Sequence, residues 1–103
     1  MEHKTIVIKK LVLDVLKPLD PSIIDMATEI ASLSGVDSVS ITSIEIDRNT
    51  ESVKVLVEGN DIRLEKVKTA IERLGGVIHS IDEVVAGRME VREEETLHER
   101  MHE

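Results

Sequence analysis

Along the segment TIVIKKLVLDVLKP, residues 5–18, apolar and polar positions alternate with the two-residue period of an extended strand. Val7, Leu11, Leu13 and Val15 fall on one side, with Lys10, Val12, Asp14 and Leu16 on the other, so a long first strand is predicted to end at Pro18. Asp20-Pro21-Ser22 then has the chemistry of a helix entrance, with Asp20 as cap and Pro21 at the first helical position. Ile23, Ala27, Ile30, Ala31 and Leu33 recur at helical spacing, and Gly35 supplies the left-handed backbone that closes a helix.

In VDSVSITSIEID the apolar register slips, since Val39 and Ile41 share one parity and Ile44 and Ile46 the other, which predicts a bulge near Thr42-Ser43. Asp47 to Glu51, DRNTE, has turn chemistry. SVKVLVEG after it puts Val53, Val55 and Val57 on one face, so the two segments form a hairpin. Asp61 is placed to cap a second helix with Leu64, Val67, Ile71 and Leu74 as its buried stripe, closed by Gly75-Gly76. VIHSIDEVVAG is the fourth strand.

The order β-α-β-β-α-β predicts an α+β fold, the ferredoxin-like sandwich, with a four-stranded antiparallel sheet and both helices on one face. Right-handed crossovers place the first and third strands centrally. The other face is then open and is expected to carry Val12, Leu16, Leu56 and apolar residues of the bulged second strand. A strip of that kind calls for a second copy of the chain, covering the sheet or pairing its edge strands. The expected organisation is one domain over residues 1–88 and an acidic tail over 89–103. Glu90 to Glu103 holds six Glu and two Arg, a net charge of −4 out of −8 for the chain.

Composition narrows the functions this fold could host. There is no Phe, Tyr or Trp, so the base-stacking platform of an RNA-recognition domain cannot be built, and the net charge of −8 repels phosphate backbones. Without cysteine, thiolate chemistry and soft-metal transfer are excluded, and a cytoplasmic address is the expectation. No window has the length of a membrane span, and Met1 to Lys10 lacks the apolar run of a signal peptide. An acylphosphatase-like cradle needs glycine after the first strand, where KPLDPS has two prolines and none.

Two constellations carry candidate chemistry. His98-Glu99-Arg100-Met101-His102 spells the H-E-x-x-H of zinc hydrolases, whose helix holds two imidazoles on one side of a metal. It sits in the polar tail without a third ligand or a cleft, so weak capture of Zn²⁺ or Ni²⁺ by His98 and His102 outranks catalysis, and a solvated tail outranks both. The second is HSIDE in the fourth strand. Alternation sends His79 and Glu83 to one face and Ser80 and Asp82 to the other; Asp82 approaches Asp14 if the first and fourth strands are neighbours in register. Two such carboxylates suit Ca²⁺ or Mg²⁺ if further oxygens join them. The competing reading is charged residues on a wet edge or at a contact between subunits.

LVLDVLKP (11–18), EIDRNTESVKVLVEG (45–59) and GGVIHSIDEVVAG (75–87) resemble the archaeal domain of unknown function 211 family. The resemblance spans Leu11 to Gly87 and leaves the acidic tail outside. It implies a ferredoxin-like fold and a ring-like homo-oligomer, and it implies no particular chemistry. In plan alone, the proline-containing loop between first strand and first helix is similar to amino-acid-sensing ACT modules, but the glycine usual before the helix is missing. The leading expectation is a non-enzymatic homo-oligomer that holds a small ligand or divalent cation between subunits. An ACT-like effector sensor comes second and a metal-dependent hydrolase third.

Overall fold

The alternation of the first segment does become a strand: β1 (Ile6–Pro18) turns Leu11, Leu13 and Val15 into the core, where each is almost fully buried. The structure, a computed structural model, describes residues 5–92. After β1 come α1 (Ile23–Ala31), β2 (Val36–Ile46), β3 (Thr50–Ile62), α2 (Leu64–Arg73) and β4 (Val77–Arg88). The sheet order is β2-β3-β1-β4, every neighbouring pair antiparallel, which is the ferredoxin-like plan with β1 and β3 central. Val53, Val55 and Val57 of β3 join the β1 residues under Met26 and Ile30 of α1 and Val67, Ala70 and Ile71 of α2. Burying side chains of this size stabilises a fold by about 1.5–3 kcal/mol each, so an aliphatic core needs no aromatic ring.

The helix boundaries differ from expectation at both entrances. Ser22, not Asp20, caps α1: its hydroxyl accepts the Asp25 amide at 3.2 Å, and the Asp25 carboxylate accepts the Ser22 amide at 3.3 Å. This reciprocal pair satisfies two otherwise free donors and places Pro21 before the helix rather than in it. Asp61 does not cap α2. It lies within β3 at φ +121°, its carboxylate receives the Arg63 guanidinium at 3.0 Å, and Arg63 begins the helix without a side-chain cap. At its other end α2 closes as expected, Gly76 N–H reaching Ile71 O and Gly75 N–H reaching Glu72 O around Gly75 at φ +85°. Gly35 has φ +87°, but α1 itself ends four residues earlier at Ala31. A Cβ on Gly35 would lie 2.1 Å from the Asp61 carbonyl oxygen, so the start of β2 and the end of β3 approach as only glycine permits.

β2 slips against β3 between Ser43 and Glu45, one residue beyond the expected bulge. The slip decides what the open face carries. Ser38, Ser40 and Thr42 stand opposite Glu58, Leu56 and Lys54, so β2 contributes hydroxyls there, and the apolar residues expected from it lie elsewhere. Val39 and Ile41 pack on the core side, while Ile44 and Ile46 are exposed. Val12 and Leu56 are half-buried amid Lys10, Asp14, Lys54 and Glu58. Leu16 is exposed on the open face as expected, and further bare aliphatic surface is on β4, an edge strand. Ile81 and Val84 pair with Leu13 and Leu11 and so face the helix side, yet they remain 46% and 50% exposed because α2 contacts β4 sparsely. Val77 and Val85 are exposed as well.

After β4 the chain passes back along one end of the sheet. The Met89 amide donates to Thr5 O at 3.0 Å, Asn60 clasps Glu90 by donating to its carbonyl at 2.8 Å and accepting its amide at 3.0 Å, and Arg92 reaches Asp37 of β2 at 2.7 Å. Residues 89–92, acidic tail by sequence, are therefore fastened to β2, to β3 and to Thr5 just before β1. The Arg92 hydrogen bond holds the Asp37 carboxyl below its usual range against the opposing effect of burial.

Candidate functional site

The HSIDE segment is not a regular strand. Its register against β1 slips between Val12 and Leu13 and again between Asp14 and Val15, which leaves Asp82 and His79 as the extra residues of two bulges. Simple alternation therefore fails here. Ser80 stands opposite Asp14 and Glu83 opposite Val12, so Ser80 and Glu83 share the open face, where strict alternation had separated them.

Each β4 carboxylate on that face meets a lysine of a central strand. Lys10 of β1 donates to Glu83 at 3.2 Å. Lys54 of β3 reaches over β1 to Asp82, which also accepts the Ser80 hydroxyl at 2.7 Å. The Lys54 hydrogen bond, then that of Ser80, holds the Asp82 carboxyl below its usual value, and the same bond from Asp82 raises the Lys54 ammonium above its own. Both groups are pushed away from neutral pH. Asp14 stands opposite Lys54 in the β1–β3 register and adds to the field that raises it.

Asp14 pairs in register with Ser80 and not with Asp82, but both carboxylates act on Lys54, which already supplies a positive charge there. Among the described residues no group of three or more His, Asp or Glu side chains is arranged to hold a metal ion. His98 and His102 lie outside the described residues. Beside the ion pairs is a hollow of ≈ 260 Å³ lined by Asp14, Val15, Leu16, Ser52 and His79.

Sequence reading missed the lysines that complete this site. Lys54 faces Asp14 only in the β1–β3 register, and the pairing of Lys10 with Glu83 depends on the bulge at Asp82. It also missed a buried pair. Lys17, 1% exposed, donates to Pro18 O at 2.6 Å, to Leu19 O at 3.4 Å and to Glu51 at 3.3 Å. The one available signal was that Lys17 shares the parity of Leu13 and Val15.

Residues 9–100 match the model of DUF211, described as "Uncharacterized ArCR". The chain belongs to the DUF211 family. Uncharacterized protein MJ0319 of Methanocaldococcus jannaschii is 52% identical to it over 93 residues, 90% of this chain and 96% of that protein. The DUF211 match corrects one expectation: it runs to residue 100, so most of the acidic segment shares the family pattern that had been expected to stop at Gly87.

Proposed function

We propose that this DUF211 chain is a non-enzymatic, cytoplasmic homo-oligomeric module whose copies join edge to edge, β4 of one against β2 of the next, with a small ligand held on the sheet face beside the join. The observation that carries this reading is the bareness of β4, a 12-residue edge strand whose Ile81 and Val84 are about half exposed. A long aliphatic edge is a template for another strand. Charges on an edge ordinarily discourage such pairing, but Asp82 and Glu83 are already neutralised by Lys54 and Lys10 of their own protomer. The second edge, β2, exposes Ile44 and Ile46. Joining two different edges is heterologous, and a heterologous contact that closes on itself makes a ring.

The charge states of the Lys54–Asp82 pair favour a binding role over acid–base work at that pair. A general acid or base works best with its pKa near the operating pH, whereas Asp82 and Lys54 are shifted in opposite directions away from it. Sedimentation velocity of Val84→Lys beside the unsubstituted chain tests the reading. Loss of the oligomer with circular dichroism unchanged is the expected result; an unaltered oligomer removes β4 from the join.

A further inference from the structure

The hollow beside the ion pairs contains a carboxylate that accepts no hydrogen bond from the described residues. Asp14 is half-buried and interacts with the Lys54 ammonium through its charge, but the hydrogen bond of that ammonium goes to Asp82. Around it stand the Ser52 hydroxyl and the His79 imidazole, with Leu16, 45% exposed, forming an apolar wall. An ammonium group has three donors and no acceptor. Asp14, Ser52 and His79, which line one small concavity, are each residue types able to accept a hydrogen bond, and the two carboxylates Asp14 and Asp82 outweigh the single Lys54 by one negative charge.

We infer that this hollow binds a primary aliphatic amine, its ammonium on Asp14, Ser52 and His79 and its alkyl chain along Leu16. A divalent metal ion fits less well, because only one carboxylate is without a hydrogen bond and no group of three His, Asp or Glu side chains among the described residues is arranged to hold one. A quaternary ammonium fits less well too, because it has no N–H to donate. The inference names the ligand for the small-ligand part of the proposed function and does not depend on how copies assemble.

Isothermal titration of the full chain with n-butylammonium, butyltrimethylammonium and 1-butanol tests it. Saturable binding of n-butylammonium alone is expected. Asp14→Asn, which keeps the shape and removes the charge, is expected to weaken that binding about tenfold or more, because charge-assisted hydrogen bonds are the strong ones. Ser52→Ala, a change on an accessible strand position, serves as the second variant and weakens it about threefold to tenfold. No saturable binding of n-butylammonium, equal binding of the trimethylated analogue, or unchanged affinity in folded Asp14→Asn or Ser52→Ala would each overturn the site. Sedimentation on the same samples reads assembly separately, so loss of the ligand site and loss of the oligomer are distinguishable.

Discussion

The Lys17 ammonium lies 3.3 Å from the Glu51 carboxylate, on opposed residues of the two central strands, with the lysine almost wholly shielded from water. Its other donors reach the Pro18 and Leu19 carbonyls, so the pair also anchors the chain leaving β1. Removing one member of a buried ion pair strands the other. Lys17→Met is expected to cost about 3–5 kcal/mol of folding stability, and Lys17→Met with Glu51→Leu to recover much of it. Urea denaturation measures both. A double variant no more stable than the single one would show that the pair itself, and not the stranded carboxylate, carries the energy.

Acid should act through the same residue. The Ser43 hydroxyl, with Lys17 after it, holds the Glu51 carboxyl below its ordinary 4.5 against the effect of burial. A carboxyl lowered on folding contributes stability that is complete above the unfolded value and lost as pH falls through the folded one. The urea midpoint is therefore expected to fall below pH 4.5, and Glu51→Gln to flatten that decline. Asp82 and Asp37 shift the same way from 3.8, but their partners are more exposed and water screens them. A midpoint that declines equally in Glu51→Gln would assign the acid response elsewhere.

The clasp between Asn60 and Glu90 gives a third expectation. Asn60→Ala removes two hydrogen bonds to the chain after β4, each contributing about 0.5–1.5 kcal/mol net. Backbone amide exchange of Met89 and Glu90 should accelerate markedly, while that of Val55 and Val57 in the core is unchanged. Protection that persists at Glu90 would mean that the remaining contacts, Met89 with Thr5, Lys9 with Glu90 and Arg92 with Asp37, suffice to fasten the segment.

What the sequence made legible follows from how each residue is constrained. Where one face of a strand is buried throughout, as at Leu11, Leu13 and Val15, alternation alone places the residues. In β4 it does not, because both faces are partly exposed and two bulges at His79 and Asp82 cost little hydrophobic burial, so nothing in the pattern marks them. Glu51 read as part of a turn because DRNTE is rich in turn formers, yet its pairing with Lys17 draws it into β3. Asp20 and Asp61 are good capping residues by type. Ser22 caps instead because only it has an acidic partner three residues on, and Asp61 is engaged by Arg63.

Joining unlike edges makes a prediction that a symmetric dimer does not. Val84→Lys spoils β4 and leaves β2 intact; Ile44→Lys does the reverse. Each alone is expected to be a monomer, and a mixture of the two to form a heterodimer through the intact edges, detectable by native mass spectrometry. Val84→Lys remaining wholly monomeric in the mixture would indicate that β4 pairs with β4.

The most direct test of the account is sedimentation velocity of the unsubstituted chain at micromolar concentration. A single closed species several times the protomer mass of 11.5 kDa is the predicted result. A stable 11.5 kDa monomer across that range would contradict it, leaving the aliphatic residues of β4 in water with no partner.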